Sequence, residues 1–407
     1  MLNNYEEAIQ WLFKQFPSYQ NIGAQAYKPG LENVRILLNR FNNPQNQLNL
    51  IHVAGTNGKG STSSYISSYL TETGEKVGLF TSPHIYDFRE RIRINGIKIS
   101  ELNVVEFCNQ IIEAKLEFEP SFFEITFAMA INYFHQEKCS YCVIETGLGG
   151  RLDATNIISP KISIITNLGI DHTQFLGQTI KEIATEKAGI IKEKTPIVIG
   201  EFTSETKIVF EQIALRNNAK LLFAENEKLP LINGVSNYQL KNLRTALVSL
   251  KAIGIKIDNE QVQDSIHNLF KNTGLFGRLT EISKSPRIIL DVSHNQDGIK
   301  ATLNHLMNEI DGDFYVILGA SSDKNLNEII AYFPENAIIN LCEFKNERSY
   351  TFNELLNIQV ENPQITNVFK NINIGIKEIK KQLTDNDTLL VIGSFFLIAD
   401  VDLPHKF

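Results

Sequence analysis

Short apolar runs alternate along this chain with stretches whose apolar residues recur at helical spacing. The runs Asn49–Ala54, Val77–Thr81, Tyr141–Thr146, Ile162–Thr166, Pro196–Gly200 and Leu221–Ala224 read as strands. Their apolar character is continuous, the mark of strands covered on both faces. Between them, segments such as FFEITFAMAINYF keep the helical period and predict helices packed on a sheet. Such alternation predicts a mostly parallel α/β domain. A long helix over 237–253 places Leu240, Leu243, Leu247 and Leu250 on one face, and a second is predicted around 260–270. The glycine-containing connector NTGLFGR follows. Beyond it a second alternation begins, with strands near Arg287–Val292, Tyr315–Gly319, Ile338–Glu343 and Thr388–Gly393. The pattern therefore predicts two α/β domains, residues 1–273 and 274–407.

Length agrees, since 407 residues exceed what one hydrophobic core usually serves. Hydrophobic residues at 43% and charged residues at 21% are an ordinary globular balance, which argues against disorder. No apolar run is long enough to predict a membrane span. The opening MLNNYEEAIQWLF lacks a basic leader and reads as an amphipathic helix, not a signal peptide, so a cytoplasmic protein is expected. A net charge of −7 speaks against nucleic-acid binding. Any anionic ligand must then be held by local Lys, Arg and backbone N–H groups. Of four cysteines, Cys139 and Cys142 form a C-x-x-C inside the strand-like CSYCVIET. With no second such pair to complete a zinc site, they are expected to be plain thiols.

The strongest local pattern is LNLIHVAGTNGKGS, an apolar strand entering a glycine-rich turn that opens a helix ending at Gly74. Gly55, Thr56, Asn57, Gly58, Lys59, Gly60 and Ser61 fit a phosphate loop. Small residues let backbone N–H groups curl round phosphate oxygens, and Lys59 supplies the charge. The spacing departs from G-x-x-x-x-G-K-[ST]: the first glycine lies three residues before Gly58, and Gly60 replaces the metal-binding hydroxyl. A metal-bound nucleotide would need a ligand from elsewhere. The first domain is thus expected to be a P-loop-containing sheet domain and the second a smaller Rossmann-like one.

Ligands of such sheets gather at strand C-termini. Glu145 closes YCVIE there, as a hard-oxygen ligand for Mg²⁺ would. Lys187 offers a different argument. Thr179 to Glu182 is a capping-box pattern that starts a helix, and Gly189 can stop it. Ile180, Ile183, Ala184 and Lys187 share its face. A lysine on an apolar stripe must snorkel, pair or give up its charge.

GTNGKGS, TSPHIYDFRERIRING, ETGLGGRLDATN, LGIDHTQFLG, EKAGIIK and, further on, GRL and DVSHN span nearly the whole chain. In that order they resemble the folylpolyglutamate synthase/dihydrofolate synthase family, part of the wider Mur ligase superfamily. The resemblance implies phosphorylation of a pterin or folate carboxylate by ATP, then attack by the amine of L-glutamate, with ADP and phosphate released. Both dihydropteroate and tetrahydrofolate are implied as acceptors. The family pattern makes Lys59, Lys187 and His172 catalytic, with Lys187 carbamylated. It gives Ser82, Glu145 and His172 to Mg²⁺ at two sites. Substrate positions are Ser82, Pro83, Ser121, Phe122, Phe123, Glu124, Leu152, Asp153 and Ala154, with Arg151 a candidate for an anionic group. The loop Arg89–Asn95 reads by pattern as a solvated β-edge, and the family pterin passes near it. Nucleotide contacts beyond the loop are Asn242, Arg278, Asp291 and His294, with Asn295 beside them. The family's D-G-A-H-N appears here as Asp291-Val-Ser-His-Asn295, so Val292 and Ser293 replace smaller residues. A monomer with small-molecule partners and neither nucleic acid nor membrane is expected.

Two other readings stand beside this one. A Mur-type ligase for a nucleotide-linked peptidoglycan precursor predicts a dedicated N-terminal domain, for which 54 residues before Gly55 are too few. A P-loop kinase or regulatory nucleotide module explains Gly55–Ser61 but leaves Glu145, His172 and Lys187 without a purpose.

Overall fold

The computed structural model describes residues 1–17, 28–227, 232 and 235–403. The chain divides into two compact units, Met1–Leu275 and Phe276–Phe407.

In the first unit β1 (Leu50–Ala54) lies between β5 (Tyr141–Glu145) and β6 (Ile162–Ile165), parallel to both. Beyond β5 come β2 (Val77–Phe80), β3 (Ile92–Ile94) and β4 (Ile97–Lys98); beyond β6 come β7 (Ile197–Ile199) and β8 (Leu221–Phe223). Among the described residues only the β2–β3 and β3–β4 pairings of this sheet are antiparallel. The continuous apolar runs have a direct cause. On β1, Ile51 and Val53 enter one apolar layer with Tyr65, Leu243 and Leu247, while Leu50 enters the opposite layer with Phe80, Phe127 and Phe134. Burying each such side chain contributes roughly 1.5–3 kcal/mol, so the strand is fixed from both faces.

Five helices of this unit matter below: α1 (Tyr5–Gln15), α2 (Lys59–Glu72), α3 (Phe122–Gln136), α4 (Ile180–Ala188) and α5 (Asn237–Ala252). Helix α2 stops where the sequence predicts, with Gly74 at φ +88° just beyond it. The segment 260–270 breaks at Asn268 into Asn259–His267 and Leu269–Thr273 instead of forming one helix.

The second unit is a six-stranded sheet in the order β13–β12–β11–β14–β10–β9. Its strands are β9 (Thr280–Lys284), β10 (Arg287–Asp291), β11 (Phe314–Leu318), β12 (Ile338–Cys342), β13 (Ile365–Phe369) and β14 (Thr388–Ile392). All pairings are parallel except β9 with β10. Helix α6 (Gln296–Leu306) follows β10. Both edge strands escape the apolar-run criterion. TEISK and ITNVF are partly exposed and mix polar with apolar residues, as edge strands do. The β3 segment is not the solvated edge its pattern suggests: β3 pairs with β2 on one side and β4 on the other, and Ile92 and Ile94 are buried. Residues Phe88–Arg91 form a 3₁₀ turn, and Arg91 is only 4% exposed.

Candidate active site

The phosphate loop leaves β1 and is braced by the loop that follows β6. Thr56 N–H donates to Asn167 O at 3.0 Å, and Asn57 N–H to Asn167 Oδ1 at 2.8 Å. Thr166 Oγ1 donates to Asn57 O at 2.6 Å, and Thr56 Oγ1 exchanges hydrogen bonds with the backbone of Gly169. This closeness dictates the glycines. At Gly55 a Cβ would overlap the Thr166 hydroxyl, and at Gly58, whose φ is +79°, it would overlap Asn242 Oδ1. Gly58 caps α2, so the first-turn N–H groups of Lys59, Gly60 and Ser61 have no acceptor within the helix. An anion suits such a helix start.

Two lysines converge on it. Lys59 Nζ donates to Gly55 O and Thr56 O at 3.2 Å each. Lys187, on the inner face of α4, is 3% exposed and donates to Gly55 O at 2.8 Å. Burial, reinforced by the Lys59 charge, pushes its ammonium down from 10.5 to about 7. The α4 capping box of Thr179 and Glu182 forms as the sequence predicts. Lys187 therefore does not snorkel: it pairs with a carbonyl and loses much of its basicity.

Glu145 ends β5 and is 3% exposed. Its Oε2 accepts the Ser82 N–H at 3.0 Å and would lie 3.6 Å from a Cβ at Gly60. The carboxylate thus stands beside the position where the usual phosphate loop carries its hydroxyl. The Ser82–His84 loop is held by Arg91, whose Nε donates to His84 Nδ1 at 2.7 Å, with Pro83 between them. Ser61 is turned away into the helix layer, where Gln239 Nε2 donates to its hydroxyl at 3.4 Å. His172 precedes the short helix Thr173–Leu176 in a left-handed conformation, φ 51°, beside Asp171. Among the described residues no three acidic, His or Cys side chains cluster as a metal cage. Mg²⁺ does not require one. It binds through one or two carboxylates, phosphate oxygens and water, and Glu145, with Ser82 bonded to it through its backbone N–H, fits that donor set.

Helix α3 opens with a capping box in which Ser121 and Glu124 bond each other's backbone N–H groups. Burial pushes the Glu124 carboxyl up. Phe122 is a buried ring stacked on Phe13 at 5.0 Å with the Arg91 guanidinium 5.2 Å over it. Phe123 is half-buried, 5.6 Å from Phe80, and its ring leaves no room for a Cβ at Gly147. Asp153 is buried and accepts from Leu148 N–H, Thr155 N–H and the Thr155 hydroxyl, which pins the glycine turn after Glu145. His52 Nε2 lies 2.8 Å from that same hydroxyl. Leu152 is half-buried and Ala154 buried at this turn. Arg151 pairs instead with Glu186 of α4 at 2.8 Å.

In the second unit Arg278 lies over the Phe395 ring at 5.2 Å, and His294 is 5.8 Å from the same ring. Asp291 accepts Leu279 N–H and Ser293 N–H, each at 2.8 Å, and Asn295 caps α6. Arg278, Asp291, His294 and Asn295 thus form one cluster at the tip of β10. Val292 and Ser293 do not open the loop, since Val292 N–H bonds Gly277 O at 2.9 Å.

The sequence reading passed over Thr166, Asn167 and Gln239. None lies in a charged or glycine-rich pattern; the only available signal was that Thr166 and Asn167 sit at a strand C-terminus.

Comparison with known proteins gives this geometry a family. Residues 53–269 match the Mur ligase middle domain and residues 277–395 the Mur ligase glutamate ligase domain. The dihydrofolate synthase/folylpolyglutamate synthase of Bacillus subtilis is 32% identical, over 98% of this chain and 99% of its own. The chain belongs to the folylpolyglutamate synthase/dihydrofolate synthase family. It spans half the length of one relative, the probable bifunctional folylpolyglutamate synthase/dihydropteroate synthase of Haloferax volcanii, at 28% identity over 97% of this chain. Among solved structures of the family, the bifunctional Yersinia pestis protein with AMPPNP and Mn ion has a TM-score of 0.83 at 26% identity, covering 98% of this chain and 97% of that one. The Escherichia coli protein with DHPP and ADP has a TM-score of 0.81 at 26% identity, covering 98% and 96%.

Proposed function

We propose that this family member is a bifunctional dihydrofolate synthase and folylpolyglutamate synthase. It joins L-glutamate to dihydropteroate and to tetrahydrofolate through an acyl phosphate and releases ADP and phosphate. One observation carries the reading: a phosphate cradle at Gly55–Ser61 has Glu145 on one side and a buried, weakly basic Lys187 on the other. A phosphoryl transfer asks for little beyond positioning and charge stabilisation. The first-turn N–H groups of α2 hold the phosphates, and Lys59 leaves the loop carbonyls to follow the transferring group. Asn242, against Gly58, reads the adenine. Arg278, Asp291 and His294, clustered at the tip of β10, are nucleotide contacts by the family pattern. Mg²⁺, when bound, would neutralise phosphate charge, with Ser82 and Glu145 holding one ion and His172 a second. Lys187 suits carbamylation, because a neutral amine is the form that captures CO₂ and its low basicity supplies that form near neutral pH.

The acceptor's pterin lies against Phe123 and its neighbours Ser121, Phe122 and Glu124, beside Pro83 and the turn carrying Leu152, Asp153 and Ala154. Asp153 acts there by shaping the turn, since its oxygens are committed to the protein's own donors. No helix among the described residues is long and apolar enough to cross a membrane. A monomer working in the cytoplasm completes the proposal.

The test is ADP release by the purified chain with ATP and Mg²⁺. Release should require both L-glutamate and an acceptor, and either dihydropteroate or tetrahydrofolate should serve. ADP release indifferent to glutamate defeats the ligase reading; activity with one acceptor alone removes bifunctionality.

A further inference from the structure

We propose that Gln239 is a positioning residue: it fixes the amide of Asn242 so that the oxygen reads the base, making the site selective for 6-amino over 6-oxo purines. The proposal rests on the adenine-reading role given to Asn242 above.

Gln239 and Asn242 lie three residues apart at the start of α5, on one face, 7% and 9% exposed. The Gln239 amide is itself oriented by its neighbours. Its Nε2 donates to the Tyr238 hydroxyl at 2.9 Å and to the Ser61 hydroxyl at 3.4 Å. Its Oε1 is therefore left facing Asn242, whose Nδ2 donates to it at 3.1 Å. Turning the Asn242 amide over would set two acceptor oxygens against each other in a buried position, which is costly. Asn242 Oδ1 accordingly points at Gly58, where the absence of a Cβ makes room for it.

An amide carbonyl in that position accepts a hydrogen from the 6-amino group of adenine. It meets the 6-oxo oxygen of hypoxanthine or guanine as a second acceptor. Once Gln239 no longer supplies an opposing oxygen, Asn242 is free to turn and offer its NH₂, and the 6-oxo purines gain a partner. Ser61 acquires a purpose here as well. Its hydroxyl belongs to the chain of bonds that orients the base reader, and it links α2 to α5.

The experiment compares ATP with ITP in glutamate- and pterin-dependent phosphate release, for the wild-type chain and for Gln239→Met, Gln239→Ala and Gln239→Glu. Wild type should favour ATP in kcat/KM. Met and Ala remove the orienting oxygen and should shrink the ATP/ITP ratio about tenfold, the worth of one reoriented hydrogen bond, with kcat for ATP little changed. Glu keeps an acceptor towards Asn242 and should preserve the wild-type ratio. A purely structural role would weaken both nucleotides alike and leave the ratio unmoved, which overturns the proposal. So does a Glu variant that loses the ratio as fully as Met does. Two outcomes fall on the underlying reading instead: a wild type without preference for ATP removes base reading by Asn242, and a wild type without glutamate-dependent release removes the ligase.

Discussion

At the scale of single residues, Lys187 shows what the sequence could disclose. Its place on the apolar stripe of α4 predicted a cation that snorkels, pairs or gives up its charge; it is buried, bonds Gly55 O and loses basicity, so snorkelling is the alternative that falls. The consequence for stability has a definite sign. Between about 7, its value in the folded chain, and 10.5, its ordinary value, the unfolded chain holds the proton and the folded chain does not. The unfolded state binds more protons across that window, so stability rises with pH through it. Lys187→Met should therefore be more stable than wild type at pH 7.5 in bicarbonate-free buffer, by up to about 4 kcal/mol. The gap should close as pH approaches 10. Urea midpoints at both pH values check this, and a gap that widens with pH is the contrary result. The same substitution should cost at least about a hundredfold in turnover, unrestored by bicarbonate, because Met offers no amine to carbamylate. Gln239 was illegible by comparison. Its amide is oriented in part by Ser61, 178 residues away in the chain, and no spacing rule encodes that contact. Asp153 was named by the family pattern, but its carboxylate is taken up by Leu148 and Thr155 of its own turn.

At the scale of elements, the glycines of the phosphate loop separate into two kinds. Gly55 and Gly58 have no space for a side chain, whereas a Cβ at Gly60 would meet Glu145 only at 3.6 Å, an ordinary contact. Gly60 is the second residue of α2, where Ala outperforms Gly by up to about 1 kcal/mol. Gly60→Ala should thus raise the melting temperature slightly. On the proposed site it should also raise KM for Mg²⁺–ATP about tenfold, because the added methyl stands beside Glu145, where the proposal puts the metal-bound phosphate (one lost or lengthened hydrogen bond is enough). Differential scanning calorimetry and initial-rate kinetics measure the two effects separately. A variant less stable than wild type would mean that Gly60 serves backbone geometry instead. Element by element, the parallel core strands were legible because burial on both faces imposes an apolar run. The edge strands β9 and β13 were not, since half their surface meets water and their pairing depends on a neighbour the local sequence does not name.

At the scale of the whole molecule, each unit closes its own core. The apolar clusters of the first unit draw on residues between Ala8 and Val262, and that of the second on Ile289 to Ile392. A chain with two closed cores has no obligation to unfold in one step. Its single tryptophan provides the means to ask. Trp11 sits on α1 with its ring 5.5 Å from Phe16, so its fluorescence reports the first unit alone, while far-UV circular dichroism reports both. In urea the two signals should not superimpose. AMPPNP with Mn²⁺ should move the fluorescence transition to higher urea, by the equivalent of about 2.7 kcal/mol at a hundredfold excess over Kd, because the proposed phosphate loop lies in the unit that Trp11 reports. Coincident curves at every nucleotide concentration would mean that the two cores melt as one. The tryptophan would then report the stability of the entire chain, and the nucleotide's effect could not be assigned to the first unit.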